Sequence, residues 1–394
     1  MPRPLHVGID ATTWRNDRGF GRFTRELVRA LLARDSGIRY TMVFDQDPPD
    51  DLPAGVEVIT AATKRNLNES AVGKSSRTPD YLLRLGMAVS RAQFDVFYYP
   101  AVYSYFPILA RVPRVICYHD TTAERYPELL FPTKLNHRLW QAKTALARLQ
   151  TTRAMTVSEA SARDLEMILH IPHSRIDVVT EAADPMFRVL DDAPRTAEIR
   201  ARFGIPQDAT LFVYVGGMNP HKNLLGMLKA LPDVLARRAD LHVAIVGDTS
   251  GKGFWDNVPE LKAFVEDNPN LKTNVHFTGY TSDEDLVTLL NAATALVFPS
   301  LWEGFGLPAV EAMACGIPVL ASRRGSLPEV IGDAGLYFDP ESPWAMATVM
   351  LRFLEDENLQ RTLKARAVPR AASFTWDKGA ELAEISFQKC AGAW

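Results

Sequence analysis

Short apolar runs closed by turn residues alternate along this chain with longer stretches in which apolar side chains return every three or four positions. The first pattern predicts strands buried on both faces, and the second predicts the helices that cover them. In the first half the strand-like runs are "LHVGID" (5–10), "YTMVFD" (40–45), "VEVI" (56–59), "FDVFYYP" (94–100), "RVICYHD" (114–120), "AMTVS" (154–158) and "IDVV" (176–179). After the first of them, "GFGRFTRELVRALLAR" (19–34) has helical spacing at Phe23, Leu27, Ala30 and Leu31. The second half repeats the grammar with "LFVYVGG" (211–217), "LHVAIVGD" (241–248), "NVHFTG" (274–279), "ALVFPS" (295–300), "IPVLAS" (317–322) and "GLYFD" (335–339). Strand and helix in regular alternation predict the α/β class with parallel sheets.

A polar stretch with two prolines, "DPMFRVLDDAPRT" (184–196), interrupts the pattern and is the expected linker. Two doubly wound domains in tandem follow, residues 1–190 and 191–372, framing a cleft. The segment 373–394 holds an amphipathic helix, "TWDKGAELAEISFQKC" (375–390), with no strand after it, and is expected to pack back on the first domain. Ligands of doubly wound sheets lie outside the carboxyl ends of the strands, so chemistry is to be sought in the loops that follow them.

The length of 394 residues suits two domains, and 47% hydrophobic with 23% charged residues is ordinary for a chain folded throughout. Neither a signal-peptide pattern at the start nor a run of eighteen apolar residues occurs, which predicts a cytoplasmic protein. Cys117, Cys315 and Cys390 are too few and too far apart for a disulfide framework or a metal knuckle. Residues 1–190 carry 25 Lys and Arg against 21 Asp and Glu, and residues 191–394 carry 19 against 26. That imbalance excludes a nucleic-acid-binding signature, yet favours an anionic partner, including the inner membrane face, on the first half. One segment concentrates it: "KLNHRLWQAKTALARLQTTR" (134–153) has Lys134, Arg138, Lys143, Arg148 and Arg153, no acid, and an apolar stripe. A membrane-resting helix and a surface helix whose stripe packs on the sheet both fit; the second is the expectation.

The densest chemistry lies in "PSLWEGFGLPAVEAMACGIPVLAS" (299–322), where Glu303 and Glu311 flank a Gly-Phe-Gly turn and a helix expected from Leu307 to Cys315, with Pro308 in its first turn. Free amides of Phe305, Gly306 and Leu307 at the positive end of that helix suit a phosphate. The carboxylates would repel it, and so are expected to accept from neutral hydroxyls on either side. Diol, diphosphate and polyol in that order describe a nucleotide-sugar. Glutamate near a helix start is also favoured by the dipole alone, so this pattern has a purely structural alternative. In "VYVGGMNPHKNLLGMLKAL" (213–231) a strand ends in Gly216-Gly217 and a loop carries His221, Lys222 and Asn223, which places Lys222 to reach phosphate oxygens. Gly19 and Gly21, in a loop before a helix beginning with Arg22, would let backbone amides approach an anion. They and Asp45 mimic a dinucleotide fingerprint, but the loop from Asp10 is too long and Thr24 stands where a third glycine is needed. His119 and Asp120, at the carboxyl end of a strand, are expected at the cleft, where His119 could meet a sugar hydroxyl. No metal cluster and no nucleophilic triad spacing accompanies them.

These motifs together resemble the retaining glycosyltransferases of family four, which have the two-domain GT-B fold of Rossmann-like units. The resemblance rests on "EGFGLPAVE" with seven residues between its glutamates, "AMACGIPVLAS", "GSLPEVIGDAGLYFDP", "YVGGMNPHKNL", "GFGRFTREL", "YHDTT" and "VSEASARDL". It implies an enzyme moving a hexosyl group from a nucleotide-diphosphate sugar to a carbohydrate or lipid-linked saccharide acceptor, with no cofactor and no metal. It further implies that Glu311 holds the ribose, that Glu303 and the amides of Phe305, Gly306 and Leu307 receive donor sugar and phosphate, and that Lys222 neutralises the leaving diphosphate, helped by the Gly19–Gly21 loop. His119 would contact the transferred sugar, and Ser158 matches a cleft-facing position. Members commonly carry an arginine where this chain has Gly217 or His221, so a cation is expected from His221 itself or from Arg22. "TEAAD" (180–184) replaces an Asn-Gly pair common at the hinge. Among members the chain looks most like mannosyltransferases using GDP-mannose; UDP-linked hexose or N-acetylhexosamine donors, an epimerase or phosphorylase, and a non-catalytic nucleotide-sugar-binding partner are the alternatives.

Overall fold

The computed structural model describes residues 3–16, 19–61, 79–249 and 257–393. The chain divides into two compact units, one made of residues 1–124, 133–181 and 375–394, the other of residues 125–132 and 182–374.

The first unit is built on a seven-stranded sheet of β1 (His6–Asp10), β2 (Arg39–Phe44), β3 (Glu57–Thr60), β4 (Val96–Tyr99), β5 (Arg114–Cys117), β6 (Arg153–Thr156) and β7 (Ile176–Val178), in the order β3-β2-β1-β4-β5-β6-β7. Every pairing is parallel. β4 and β5 are buried along their whole length, as continuous apolar runs require when helices cover both faces. Phe97 packs edge-on to Tyr99 and Phe106 and lies against Phe94, giving this half of the core an aromatic centre. The last helix, Trp376–Ala391, turns Ala380, Ala383, Phe387 and Cys390 inward, with Phe387 5.1 Å from the ring of Tyr98. Polar bonds fix its direction. Arg34 reaches Asp377 and Glu384, while Ser386 and Lys389 both donate to Asp177, whose other partner is Arg153. Each buried apolar side chain of this helix contributes about 1.5–3 kcal/mol for a Phe or Leu and less for Ala.

The second unit carries β8 (Thr210–Val215), β9 (Leu241–Val246), β10 (Val275–Gly279), β11 (Ala295–Phe298), β12 (Val319–Ser322) and β13 (Gly335–Phe338), ordered β10-β9-β8-β11-β12-β13 and again all parallel. Strand order reverses between β8 and β11, so the loops leaving their carboxyl ends share the crevice of this sheet. In the first unit the reversal falls between β1 and β4.

Three expectations are corrected. The helix expected from Arg22 begins at Gly19 and runs Gly19–Ala33, so both glycines are helical rather than in a loop; residues 17 and 18 before it lie outside the described residues. The stretch 184–196 is not wholly irregular, because Asp192 caps the helix Ala193–Arg202 by accepting from the Arg195 amide. The apolar stripe of helix Lys134–Gln150 packs only in part: Trp140 lies against the core, but Leu135, Leu139, Leu146 and Leu149 are 65, 62, 42 and 80% exposed, and the fully buried positions are Thr144 and Ala147. Among the described residues no helix is long and apolar enough to cross a membrane.

Candidate active site

In the second unit the loops after β8 and β11 carry the residues singled out from the sequence. After β8 the chain passes Gly216 and Gly217, makes a 3-10 turn over Pro220–Lys222, and enters the helix Leu224–Leu235 through Asn223. Asn223 is left-handed at φ 59, a conformation asparagine tolerates better than most residues, and its side-chain amide donates to the carbonyls of Pro299 and Pro340. The His221 carbonyl accepts from the Leu301 amide at 2.9 Å, binding this turn to the loop after β11. Lys222 is thereby aimed at Glu303: its Nζ donates to Oε1 at 2.7 Å and to Oε2 at 3.0 Å. Their side chains are only 21 and 12% exposed, so the pair is weakly screened by water.

Gly306 precedes the helix Leu307–Ala314 with φ 101, and a Cβ there would lie 2.7 Å from Leu327 Cδ2 and 3.3 Å from Phe298 Cε1. Only glycine suits that corner. Ser326, a residue the sequence did not flag, shapes it: its hydroxyl donates to the carbonyls of Glu303 and Phe305 at 3.1 and 2.7 Å. The first intrahelical bond runs from Ala309 N to the Gly306 carbonyl, which leaves the amides of Phe305, Gly306 and Leu307 ahead of it at the positive end of the helix. Phe305 itself is buried edge-on against Phe374, 5.4 Å away. Glu311, in the second turn, is 3% exposed.

The expectation that Glu303 meets only neutral hydroxyls is corrected, since it first holds Lys222. So is the expectation of a charge on His221: burial, together with the Lys222 charge beside it, pushes its pKa down to about 3, and its Nδ1 is enclosed without a hydrogen-bond partner among the described residues. The ring is neutral at pH 7. Ser300 Oγ and Trp302 Nε1, in the loop after β11, are likewise enclosed polar atoms with no hydrogen-bond partner among the described residues.

In the first unit, His119 lies beyond the end of β5. Its Nε2 donates to the Pro100 carbonyl at 2.9 Å, Nδ1 stands 3.5 Å from Glu181 Oε1, and Phe23 packs edge-on at 4.7 Å. Burial opposes a charge on this ring, but the Cys117 sulfur and the Glu181 carboxylate outweigh it and raise the pKa well above 6.5. Both ring nitrogens therefore face protein acceptors, where the sequence suggested a free donor to a sugar. Glu181, from the "TEAAD" stretch that departs from the family pattern, thus has a definite task as the partner of His119. Asp120 accepts from the Thr122 amide at 2.9 Å and is half-buried. Ser158 is fully buried and caps the helix Glu159–Met167 by accepting from the Ser161 amide. Gly21 is needed because a Cβ would meet the Asn16 carbonyl oxygen at 1.9 Å, whereas a Cβ at Gly19, in the first turn of the same helix, would meet nothing within 4 Å among the described residues. Arg22 is half-buried beside them. Among the described residues no group of three or more His, Cys, Asp and Glu side chains is placed to hold a metal ion.

Residues 195–368 match the family described as glycosyl transferases group 1, and residues 18–186 match the one described as Glycosyltransferase Family 4. Over 261 residues the chain is 33% identical to the O-antigen chain mannosyltransferase B of Escherichia coli. That alignment takes in 66% of this chain and 63% of the relative, so the chain spans less than two thirds of that protein's length. Among solved structures, the sucrose-phosphate synthase from Thermosynechococcus elongatus superposes with a TM-score of 0.76 at 20% identity, covering 99% of this chain and 100% of that one. Anabaena HepE, solved in complex with UDP and glucose, superposes with a TM-score of 0.72 at 18% identity, covering 98% and 99%. At such identities the likeness speaks for the fold, two parallel-sheet α/β units in one chain.

Proposed function

The chain belongs to the group 1 glycosyltransferases of GT-B fold, and on that premise we propose that it transfers a hexosyl group from a nucleotide-diphosphate sugar to a hydroxyl acceptor, with retained configuration and without a metal. The observation that carries this reading is the bond between Lys222 and Glu303 beside the Gly306 corner. It sets one ammonium, one carboxylate and a row of helix amides within a single crevice, the chemistry a sugar diphosphate needs. In the reaction the bond from the sugar's anomeric carbon to the diphosphate oxygen breaks, and the acceptor oxygen bonds that carbon on the same face. The acceptor's proton leaves with the departing diphosphate. Negative charge grows on the leaving group, where the amides before Ala309 and the Lys222 ammonium stabilise it without rearranging. Glu303 keeps Lys222 oriented and has lone pairs left for sugar hydroxyls, and Glu311 takes the ribose.

Mannose from GDP-mannose is the donor we favour, because the relative named above is a mannosyltransferase. A UDP-sugar is the second reading, favoured by the fold neighbour that holds UDP and glucose. The acceptor is a carbohydrate or a lipid-linked saccharide. Peripheral contact with an anionic membrane through helix Lys134–Gln150 accords with the latter, since its exposed leucines lie among Lys134 and Arg138 with no acid in the helix.

The purified protein is to be incubated with GDP-mannose, UDP-glucose and UDP-N-acetylglucosamine, with and without a saccharide acceptor, and release of the nucleoside diphosphate followed. Turnover of one donor supports an enzyme. A raised melting temperature with GDP or UDP but no turnover of any donor would instead make the chain a non-catalytic binding partner.

A further inference from the structure

In the second unit the helices Leu224–Leu235 and Pro343–Glu355 pack side by side, and a groove of about 590 Å³ runs between them. Asp233 and Arg237 line one wall, and Trp344, Thr348, Arg352 and Glu355 line the other. Asp233 and Arg237 stand at the end of their helix that is remote from the turn Pro220–Lys222, so this groove is separate from the crevice described above.

Three features set it apart from the ordinary gap between packed helices. Trp344 is 73% exposed, although Met346, Met350, Phe353 and Leu354 of the same helix are buried, so a whole indole stays in water at a first-turn position that a polar residue would fill equally well. Trp344, Thr348 and Arg352 recur every four residues and share one face over roughly 12 Å of helix at about 1.5 Å per residue. Among the described residues the Trp344 indole N–H, the Asp233 carboxylate and the Arg352 guanidinium have neither a hydrogen bond nor an ion pair, whereas Arg237 holds Glu355 at 2.5 Å.

The kinds of side chain present select the occupant. The carboxylates of Asp233, Glu355 and Asp356 stand against the guanidiniums of Arg237 and Arg352, so the groove is nearly balanced in charge and offers a phosphate no net attraction. Beside the indole its apolar side chains are Ala347 and Leu351, a narrow seat for a hydrophobic helix or a lipid tail. A sugar ring suits both conditions. Its C–H face lies on the indole, and its neighbouring hydroxyls, each a donor and an acceptor, pair with a carboxylate and a guanidinium side by side.

We propose that this groove is a second, non-catalytic site that binds an uncharged oligosaccharide, seated on Trp344 and held by Asp233 and Arg352. Its use in the reaction rests on the saccharide-acceptor reading above: it anchors the acceptor chain away from the reacting end and raises the local concentration of acceptor. The binding itself does not depend on that reading.

The test uses the full chain and the variants W344A, W344F and D233N/R352Q, with mannotriose, maltotriose and chitotriose as probes in calorimetry and mannan and dextran in affinity electrophoresis. Wild type is expected to bind at least one of these, W344A and D233N/R352Q each at least about tenfold more weakly, and W344F within about threefold of wild type. All three positions are exposed, so the melting temperature should stay within a few degrees. No saccharide bound by wild type at about 10 mM, or equal binding by wild type and W344A, would overturn the proposal. So would a wild-type dimer in sedimentation velocity that W344A makes monomeric while no saccharide binds, which would give the groove to a second copy of the chain. If W344A does not fold by circular dichroism, D233N/R352Q decides on the same tenfold criterion. A protein that turns over no donor yet loses saccharide binding in W344A keeps this site and loses the transferase reading, whereas donor turnover with no saccharide bound here removes only the site.

Discussion

Lys222 Nζ sits 2.7 and 3.0 Å from the two carboxylate oxygens of Glu303, across loops that leave the neighbouring strands β8 and β11. The group suited to a phosphate is thus oriented by the group suited to a hydroxyl, and each depends on the other for its position.

Lys222→Ala removes the ammonium and leaves Glu303 as an uncompensated, largely buried anion facing the same crevice. Turnover at saturating donor should fall by about a hundredfold or more, as for loss of an oriented charge at a leaving group. Initial rates of nucleoside diphosphate release measure this, and an unchanged rate would remove Lys222 from the mechanism.

Gly306 and Gly19 should respond oppositely to the same small change. Gly306→Ala forces a Cβ into φ 101 and to within 2.7 Å of Leu327; a cost of about 1–3 kcal/mol is expected in urea unfolding, with weaker nucleotide binding. Gly19→Ala meets no neighbour within 4 Å among the described residues and lies in a helix. It should be neutral or stabilise by up to about 1 kcal/mol.

The pKa of His119 is raised in the folded chain, against burial, by Cys117 and Glu181. A raised folded-state value means this stabilisation is complete below the unfolded value near 6.5 and is lost as pH climbs through the higher folded one. Wild-type stability should therefore decline above neutrality in a way that Glu181→Gln flattens. Denaturant midpoints at several pH values from 6 upward would reveal parallel profiles if the ion pair contributes nothing.

Leu139 and Leu149 are exposed on a helix that carries no acid. Leu139→Glu with Leu149→Glu should leave the melting temperature within a few degrees but reduce sedimentation with phosphatidylglycerol vesicles by about tenfold, through lost apolar insertion and added repulsion. Equal sedimentation of both proteins would show that this face does not meet lipid.

Every strand was legible as a short apolar run, whereas the two strand orders, with their reversals between β1 and β4 and between β8 and β11, are set by how the crossovers pack and were not. The runs "FDVFYYP" and "RVICYHD" yielded strands of Val96–Tyr99 and Arg114–Cys117, shorter than the runs, because the backbone leaves the ladder where its loop begins. Periodicity marks which side of helix Lys134–Gln150 is apolar but not how much of it is covered, and here Trp140, Thr144 and Ala147 turn inward while the leucines stay exposed. Glycine's low helix propensity argued for a loop at Gly19 and Gly21; the structure keeps Gly21 because the Asn16 carbonyl passes too close for a side chain. In the site, Lys222, Glu303 and the Gly306 corner were readable from motif spacing. The neutrality of His221 was not, since it depends on enclosure, and neither was the Glu181 partner of His119, which lies far from it in sequence.

The helix Trp376–Ala391 belongs to the unit whose sheet was laid down first. During translation the pocket for Phe387 and Cys390 beside β4–β7 must wait, unfilled, until the intervening unit has emerged from the ribosome. Chain order therefore makes the earlier of these two sheets the later one to be sealed, and a nascent chain stalled before residue 376 would display that sticky surface to chaperones.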